Sequence, residues 1–263
     1  KYVRALGSKK YRNIIYILGF IGICLVIQQF ESFLNTFMYF FSFKGLMLYL
    51  ITLIFVKSLH ELGHGYIAKY FGCRVSAIGI AFLVFFPFLY TDTTDAWRLR
   101  NHKERLIINF AGILTELHLA LIATFLWAIL PDGGLKSVTF FIATTSWISS
   151  LTINVSPFMR FDGYYVFADW LKAENLQPRS FALARWKLRE ILFGLNHLPP
   201  EELNPSRRWT FIIYAWLTWI YRFFIFLGIA FLVYHFAFKV LGILLFVIEI
   251  YWFILKPIIN EIK

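Results

Sequence analysis

The chain has 263 residues, of which 59% are hydrophobic, 21% aromatic and only 16% charged. That balance excludes an ordinary soluble domain, because most side chains must face lipid or one another. The net charge of +11 does not point to nucleic acid, since Lys and Arg gather at the ends of apolar runs, where anionic headgroups and topology place them.

A hydrocarbon core ~30 Å thick needs about 20 apolar residues per helix. Such runs predict six spans, near residues 13–30, 46–70, 106–130, 138–157, 209–234 and 239–256. The first, IIYILGFIGICLVIQQF, follows a basic stretch as a signal sequence would, but no small-residue cleavage site follows it, so it reads as a retained span. The chain starts at Lys1 rather than Met, as a segment of a longer protein would. With the N-terminus in the cytoplasm, the inner segments carry 21 Lys and Arg and the outer ones only Lys44, Lys136 and Lys239. This asymmetry predicts a multi-pass membrane protein with both termini cytoplasmic. The expected fold class is an all-α polytopic membrane protein, a single domain over residues 1–263. It has a central core of three spans at 46–171, a cytoplasmic linker at 172–208 and two further spans at 209–256. The two cysteines, Cys24 and Cys73, give no disulfide framework.

Between the second and third spans, CRVSAIGIAFLVFFPFLYTDTTDAWRLRN is rich in β-branched and aromatic residues and broken by Gly79 and Pro87. It predicts a short β-hairpin or re-entrant segment. Asp92 and Asp95 in TDTTD could hold a second cation, but a polar turn is the simpler reading. In the linker, Pro199, Pro200 and Pro205 stop a helix, and Ser206 is the expected N-cap of the fifth span. Arg222 and Glu249 read as a structural pair between the last two spans. Trp97, Trp170, Trp186 and Trp209 fall at inner interfaces, as an aromatic belt would.

The chemistry concentrates in HELGH at 60–64. His60 and His64, four apart, share one helix face and can grip a single metal ion. Glu61 lies about 100° around the helix, where a carboxylate can take the proton of a water held by the metal. The bland alternative is a pair of satisfied core histidines. Lipid makes it costly, since a charged side chain at the bilayer centre carries a penalty of ~2.5–3.5 kcal/mol on insertion scales. Lys57 stands on the same face as His60 and His64 and needs a wet cavity or a carboxylate partner.

A zinc ion that keeps one position for water needs a third protein ligand. His118 and Glu116 in the third span, His235 near the outer face, and His102 and His197 in polar segments are the remaining candidates of those types. The best candidate is Asp162, in TINVSPFMRFDGYYVFADW, where Pro157 ends the fourth span and Gly163 flanks the aspartate. The charge count places this end and His64 on the same side of the membrane. Two His and one carboxylate also suit iron(II), although HExxH on one helix favours zinc.

HELGH together with NVSPFMRFDGYY at 154–165 resembles the site-2 proteases, the intramembrane zinc metalloproteases of peptidase family M50, over about residues 46–171. The resemblance implies one Zn2+ per chain held by His60, His64 and Asp162, Glu61 as general base, and Asn154 as a polar group that helps position the scissile peptide. It also implies that the hairpin-like segment holds substrate in extended form. The family's middle span usually reads Gly-Pro-x-x-Asn, whereas here Gly112 precedes Ile113 and the Asn position is Glu116. A carboxylate at that depth needs a proton or a cation, and Lys57 is the expected partner, the two standing beside the metal ligands. The second motif has Tyr164 where many members have a second Gly.

The run from Leu89 to Trp127 is similar to a bacterial peptide zinc metalloprotease subgroup, some members of which are linked to secretion-adaptor domains or subunits. The resemblance therefore implies a bacterial cytoplasmic-membrane protease. Its substrate would be a transmembrane or membrane-associated peptide or protein in the lipid bilayer. Six histidines, only two at metal spacing, argue against a di-iron desaturase or hydroxylase. A membrane component of a peptide export or secretion system, with a structural or vestigial metal site, stays open as the alternative.

Overall fold

The computed structural model describes residues 8–38, 42–83, 86–236, 238–257 and 259. The chain forms two compact units, residues 1–170 and 171–263. In the first unit α1 (Lys9–Gln28) is capped by Ser8, whose side chain accepts from the N–H of Tyr11, and is followed by the short α2 (Phe30–Met38). Next come α3 (Phe43–Tyr70), α4 (His102–Ile129), α5 (Gly134–Ile148) and α6 (Asp162–Trp170). The second unit holds α7 (Leu176–Phe193), α8 (Pro205–Phe236) and α9 (Lys239–Ile250).

Among the described residues four helices, α1, α3, α4 and α8, are long and apolar enough to cross a membrane. Of the expected six, these four are uninterrupted helices of that length, while the other two candidate spans are interrupted. In the fourth, α5 has 15 residues and gives way to a six-residue π-helical turn, Ser149–Asn154. In the sixth, α9 has 12 residues and passes into a five-residue π-helical turn, Tyr251–Leu255. The hairpin is present between α3 and α4. Its strands, β1 (Ile78–Leu83) and β2 (Phe86–Thr91), are antiparallel, with Ile78 opposite Thr91 and Leu83 opposite Phe86. TDTTD is a polar turn: the Thr94 N–H donates to Asp92 and the Arg74 N–H to Asp95. These hydrogen bonds, from Thr94 to Asp92 and from the Arg74 backbone to Asp95, hold both carboxyls below the usual carboxylate range.

Helix association in lipid depends on close packing of small residues rather than on the hydrophobic effect, and α4 is the hub of the first unit. It meets α1, α3, α5 and α6. At Gly22 a Cβ would lie 2.7 Å from the backbone of Phe125, so α1 and α4 touch nearly backbone to backbone. Around the end of α3, Ala68, Cys73, Ala96 and Ile108 form a small buried cluster that ties the last turn of α3 and the flanks of the hairpin to the start of α4. Cys73 is therefore a packing residue there.

In the second unit the linker folds in part as α7, which ends at Gly194 in a left-handed conformation with φ 58°, before the three prolines. Phe181 stacks on Trp219 at 5.6 Å between ring centroids, and Arg179 pairs with Glu201. Ser206 is not the N-cap of α8. The helix begins one residue earlier, at Pro205, where proline's fixed φ and missing N–H suit the first helical position. Arg222 lies over the Phe181 ring at 5.8 Å, and Glu249 is buried in α9.

Gly22 gives a direct test of the α1–α4 contact. Helix propensity alone would make Gly22→Ala favourable by up to ~1 kcal/mol, whereas overpacking typically costs about 1–3 kcal/mol. A lowered unfolding midpoint in detergent is expected for Gly22→Ala. Gly228→Ala in α8, where a Cβ meets nothing within 4 Å, should leave the midpoint unchanged or raise it.

Candidate metal centre

His60 and His64 lie on the face of α3 that packs against α4, and both are buried. The approach is close because position 112 has no side chain. A Cβ there would lie 2.4 Å from Nε2 of both imidazoles, so the two rings rest on bare backbone. His64 Nδ1 donates to the Ile108 carbonyl at 2.8 Å. His60 Nδ1 lies 2.9 Å from Glu116 Oε1, with the oxygen off the line of the ring N–H. Both Nδ1 atoms face oxygens that can only accept, which leaves both Nε2 lone pairs bare.

Those lone pairs converge. The two Nε2 atoms are 3.2 Å apart, and Asp162 Oδ2 lies 2.9 Å from that of His60 and 3.3 Å from that of His64. Three acceptors this close repel one another unless a cation or a shared proton sits among them. Zinc bonds of about 2.0–2.1 Å to imidazole and carboxylate imply tetrahedral ligand–ligand edges of about 3.3–3.4 Å, close to these spacings. The donor set fits a zinc ion held on three sides. Among the described residues this is the one group of His, Cys, Asp and Glu close enough to hold a metal.

Asp162 arrives from the start of α6. Its placement depends on Gly163, where a Cβ would lie 2.3 Å from the Val155 carbonyl oxygen; the chain folds back onto itself there too tightly for any side chain. Glu61 follows His60 on α3 and is half-buried. Its backbone carbonyl accepts from the Thr91 hydroxyl at 2.9 Å, which fastens the end of β2 beside the centre.

Behind His60, Glu116 is wholly buried. Lys57 Nζ is 2.8 Å from Glu116 Oε1, the expected pairing. Asn154 Nδ2 donates to Glu116 Oε2 at 2.8 Å, and Ser149 Oγ lies 3.4 Å from Oε1. The side chain of Asn154 is thus directed to Glu116, and Asn154 itself is buried. The structure does not bring the other histidines here. His118 lies among Tyr11 and Tyr16 of α1, His102 begins α4, and His235 packs on Phe231. His197 sits in the polar loop after α7, its N–H donating to Glu190. Sequence reasoning missed the Ile108 carbonyl, Ser149 and the steric role of Gly112. Only Gly112 left a signal, since it stands four before Glu116 on one face of α4.

Residues 48–156 match the model of peptidase family M50. Over these residues the chain is similar to peptidase family M50. The M50 segment contains HELGH, the hairpin, Glu116 and Asn154 and stops short of Asp162. The chain is also similar to a Bacillus subtilis (strain 168) protein named "Putative peptide zinc metalloprotease protein YydH", at 26% identity over 137 residues, 52% of each chain. The match thus spans about half the length of that curated relative. No solved structure matches the chain. The match supports the family resemblance that HELGH carries, while most of NVSPFMRFDGYY lies beyond the matched residues.

The centre predicts two losses of metal. Gly112→Ala drives a methyl group into both imidazoles, and Asp162→Ala removes the third donor. Each purified variant should carry well below one zinc per chain by elemental analysis while keeping its helical circular dichroism. Full zinc occupancy in both would mean that these residues do not build a metal site.

Proposed function

We propose that the chain is an intramembrane zinc metalloendopeptidase of the site-2 protease type, cleaving a peptide bond in a membrane-embedded or membrane-associated peptide or protein. The observation that carries this reading is the convergence of His60 Nε2, His64 Nε2 and Asp162 Oδ2 within 2.9–3.3 Å, with Glu61 next along the same helix. A purely structural zinc site usually closes its fourth position with a protein ligand, and among the described residues three donors gather here. Family M50 metalloproteases are zinc-dependent. The name of the Bacillus subtilis relative agrees with the reading.

Zinc in this centre would supply Lewis acidity, polarising the scissile carbonyl and acidifying a water molecule. Glu61 accepts the proton as the water oxygen bonds to the carbonyl carbon. It returns that proton to the nitrogen as the C–N bond breaks, leaving a carboxylate and an amine. A helical substrate hides its peptide bonds in its own hydrogen bonds, so it must unwind first. The hairpin beside Glu61 offers the unwound segment a strand edge to pair with.

Six spans with both termini in the cytoplasm remain the proposed topology. α5 and α9, each continued by its π-helical turn, serve as the two spans beyond α1, α3, α4 and α8. The charge asymmetry supports the orientation. The proposed location is a bacterial cytoplasmic membrane, with a secretion-adaptor domain or subunit as a proposed partner.

The test compares cells making the parent with cells making Glu61→Gln and profiles new peptide termini in membrane proteins. Termini inside or beside apolar spans should appear with the parent. With Glu61→Gln they should fall by ~10² or more at unchanged zinc content. If no terminus depends on Glu61, the secretion-component reading replaces this one.

A further inference from the structure

We propose that Glu116 is a positioning residue for the metal centre, and that Asn154 and Lys57 act through it rather than on substrate. This rests on the metal-centre reading above and concerns the part of the site where the chain departs from the usual M50 pattern. Four groups from two parts of the fold meet on one buried carboxylate of a third. Lys57 and His60 come from α3, and Ser149 and Asn154 from the turn after α5. Glu116 itself is 0% exposed. A carboxylate so enclosed persists only if its lone pairs are taken up and its charge is balanced. Lys57, whose side chain is 30% exposed, supplies the charge.

The arrangement sets the imidazole of His60. Its Nδ1 side abuts Glu116 Oε1 at 2.9 Å, so the proton stays on Nδ1 and Nε2 is left free toward Asp162. A carboxylate behind a ligating histidine fixes tautomer and ring orientation and raises ligand basicity, and losing such a partner typically costs 10–100-fold in metal affinity. An asparagine at this position is neutral and one methylene shorter.

The π-helical turn makes the convergence possible. On an α-helix, Ser149 and Asn154 would point about 140° apart. The wider i→i+5 winding, seen in the bond from the Val155 N–H to the Ser150 carbonyl, brings residues five apart toward one face. Both therefore reach Glu116. The Asn154 bond to Oε2 at 2.8 Å ties the second motif, and with it the approach to Asp162, to the helix that carries Gly112.

The experiment measures zinc affinity by chelator competition, and the visible spectrum of the cobalt(II)-loaded protein, in detergent. The variants are Glu116→Gln, Asn154→Ala, the double variant, Lys57→Met and His60→Ala. Zinc affinity should drop 10–100-fold in Glu116→Gln, with shifted cobalt bands. Asn154→Ala should lose affinity too, and the double variant should be little worse than Glu116→Gln alone. Lys57→Met, which keeps the carboxylate, should give a smaller loss, and it provides a second route should Glu116→Gln fold poorly.

Affinity within twofold of the parent and an unchanged cobalt spectrum in Glu116→Gln, or in both Lys57→Met and Asn154→Ala, would overturn the proposal. So would losses from Glu116→Gln and Asn154→Ala that simply add. His60→Ala separates the two readings. If it too binds zinc like the parent, the metal centre itself fails. If it alone loses zinc, only the role of Glu116 fails.

Discussion

Everything at the centre depends on how closely α3 approaches α4. The edges of two imidazoles can come this close to a helix only where that helix has no side chain, and Gly112 provides the bare patch. In lipid nothing like the aqueous hydrophobic effect pushes two apolar helices together, so the approach needs other support. It comes from steric fit, from the bond between His64 and the Ile108 carbonyl, and from the ion pair of Lys57 with Glu116. The same contacts that hold the helices together orient the donors. A change on the α4 side of the seam therefore acts on the candidate metal donors of α3 as well as on helix packing.

The pieces of the site most visible in the sequence were those with a fixed period or an evident cost. HELGH could be read because residues four apart share a helix face. Lys57 and Glu116 could be paired before any coordinates because each alone would be an unbalanced charge in an apolar run. The hairpin showed itself through β-branched and aromatic residues bounded by Gly79 and Pro87. Asp162 was harder, since 98 residues separate it from His64; motif order and sidedness suggested it, and only the fold brings its oxygen to the imidazoles.

What stayed hidden was local geometry that composition does not encode. Ser149–Asn154 reads SSLTIN, a run that sits as readily in an α-helix as in the wider turn it adopts. The same kind of turn after α9 explains why two apolar stretches are not uninterrupted helices. Ser206 looked like a cap because its residue type suits one, yet Pro205 starts the helix before it. The contact of Asn154 with Glu116 could not be foreseen either, because it needs the wider winding to point the amide inward.

The centre also lies well off the middle of its helix. α3 has 28 residues, about 42 Å at 1.5 Å per residue, and His64 stands six residues, about 9 Å, from its end. Set about the middle of a hydrocarbon layer ~30 Å thick, such a helix places the metal donors inside one leaflet near its boundary. Under the proposed function, a transmembrane helix cut at that depth would yield two very unequal stubs. The shorter, with only a few apolar residues, could leave for water unaided. The longer would keep most of the span and stay behind, so the membrane would sort the two products by length without any further step.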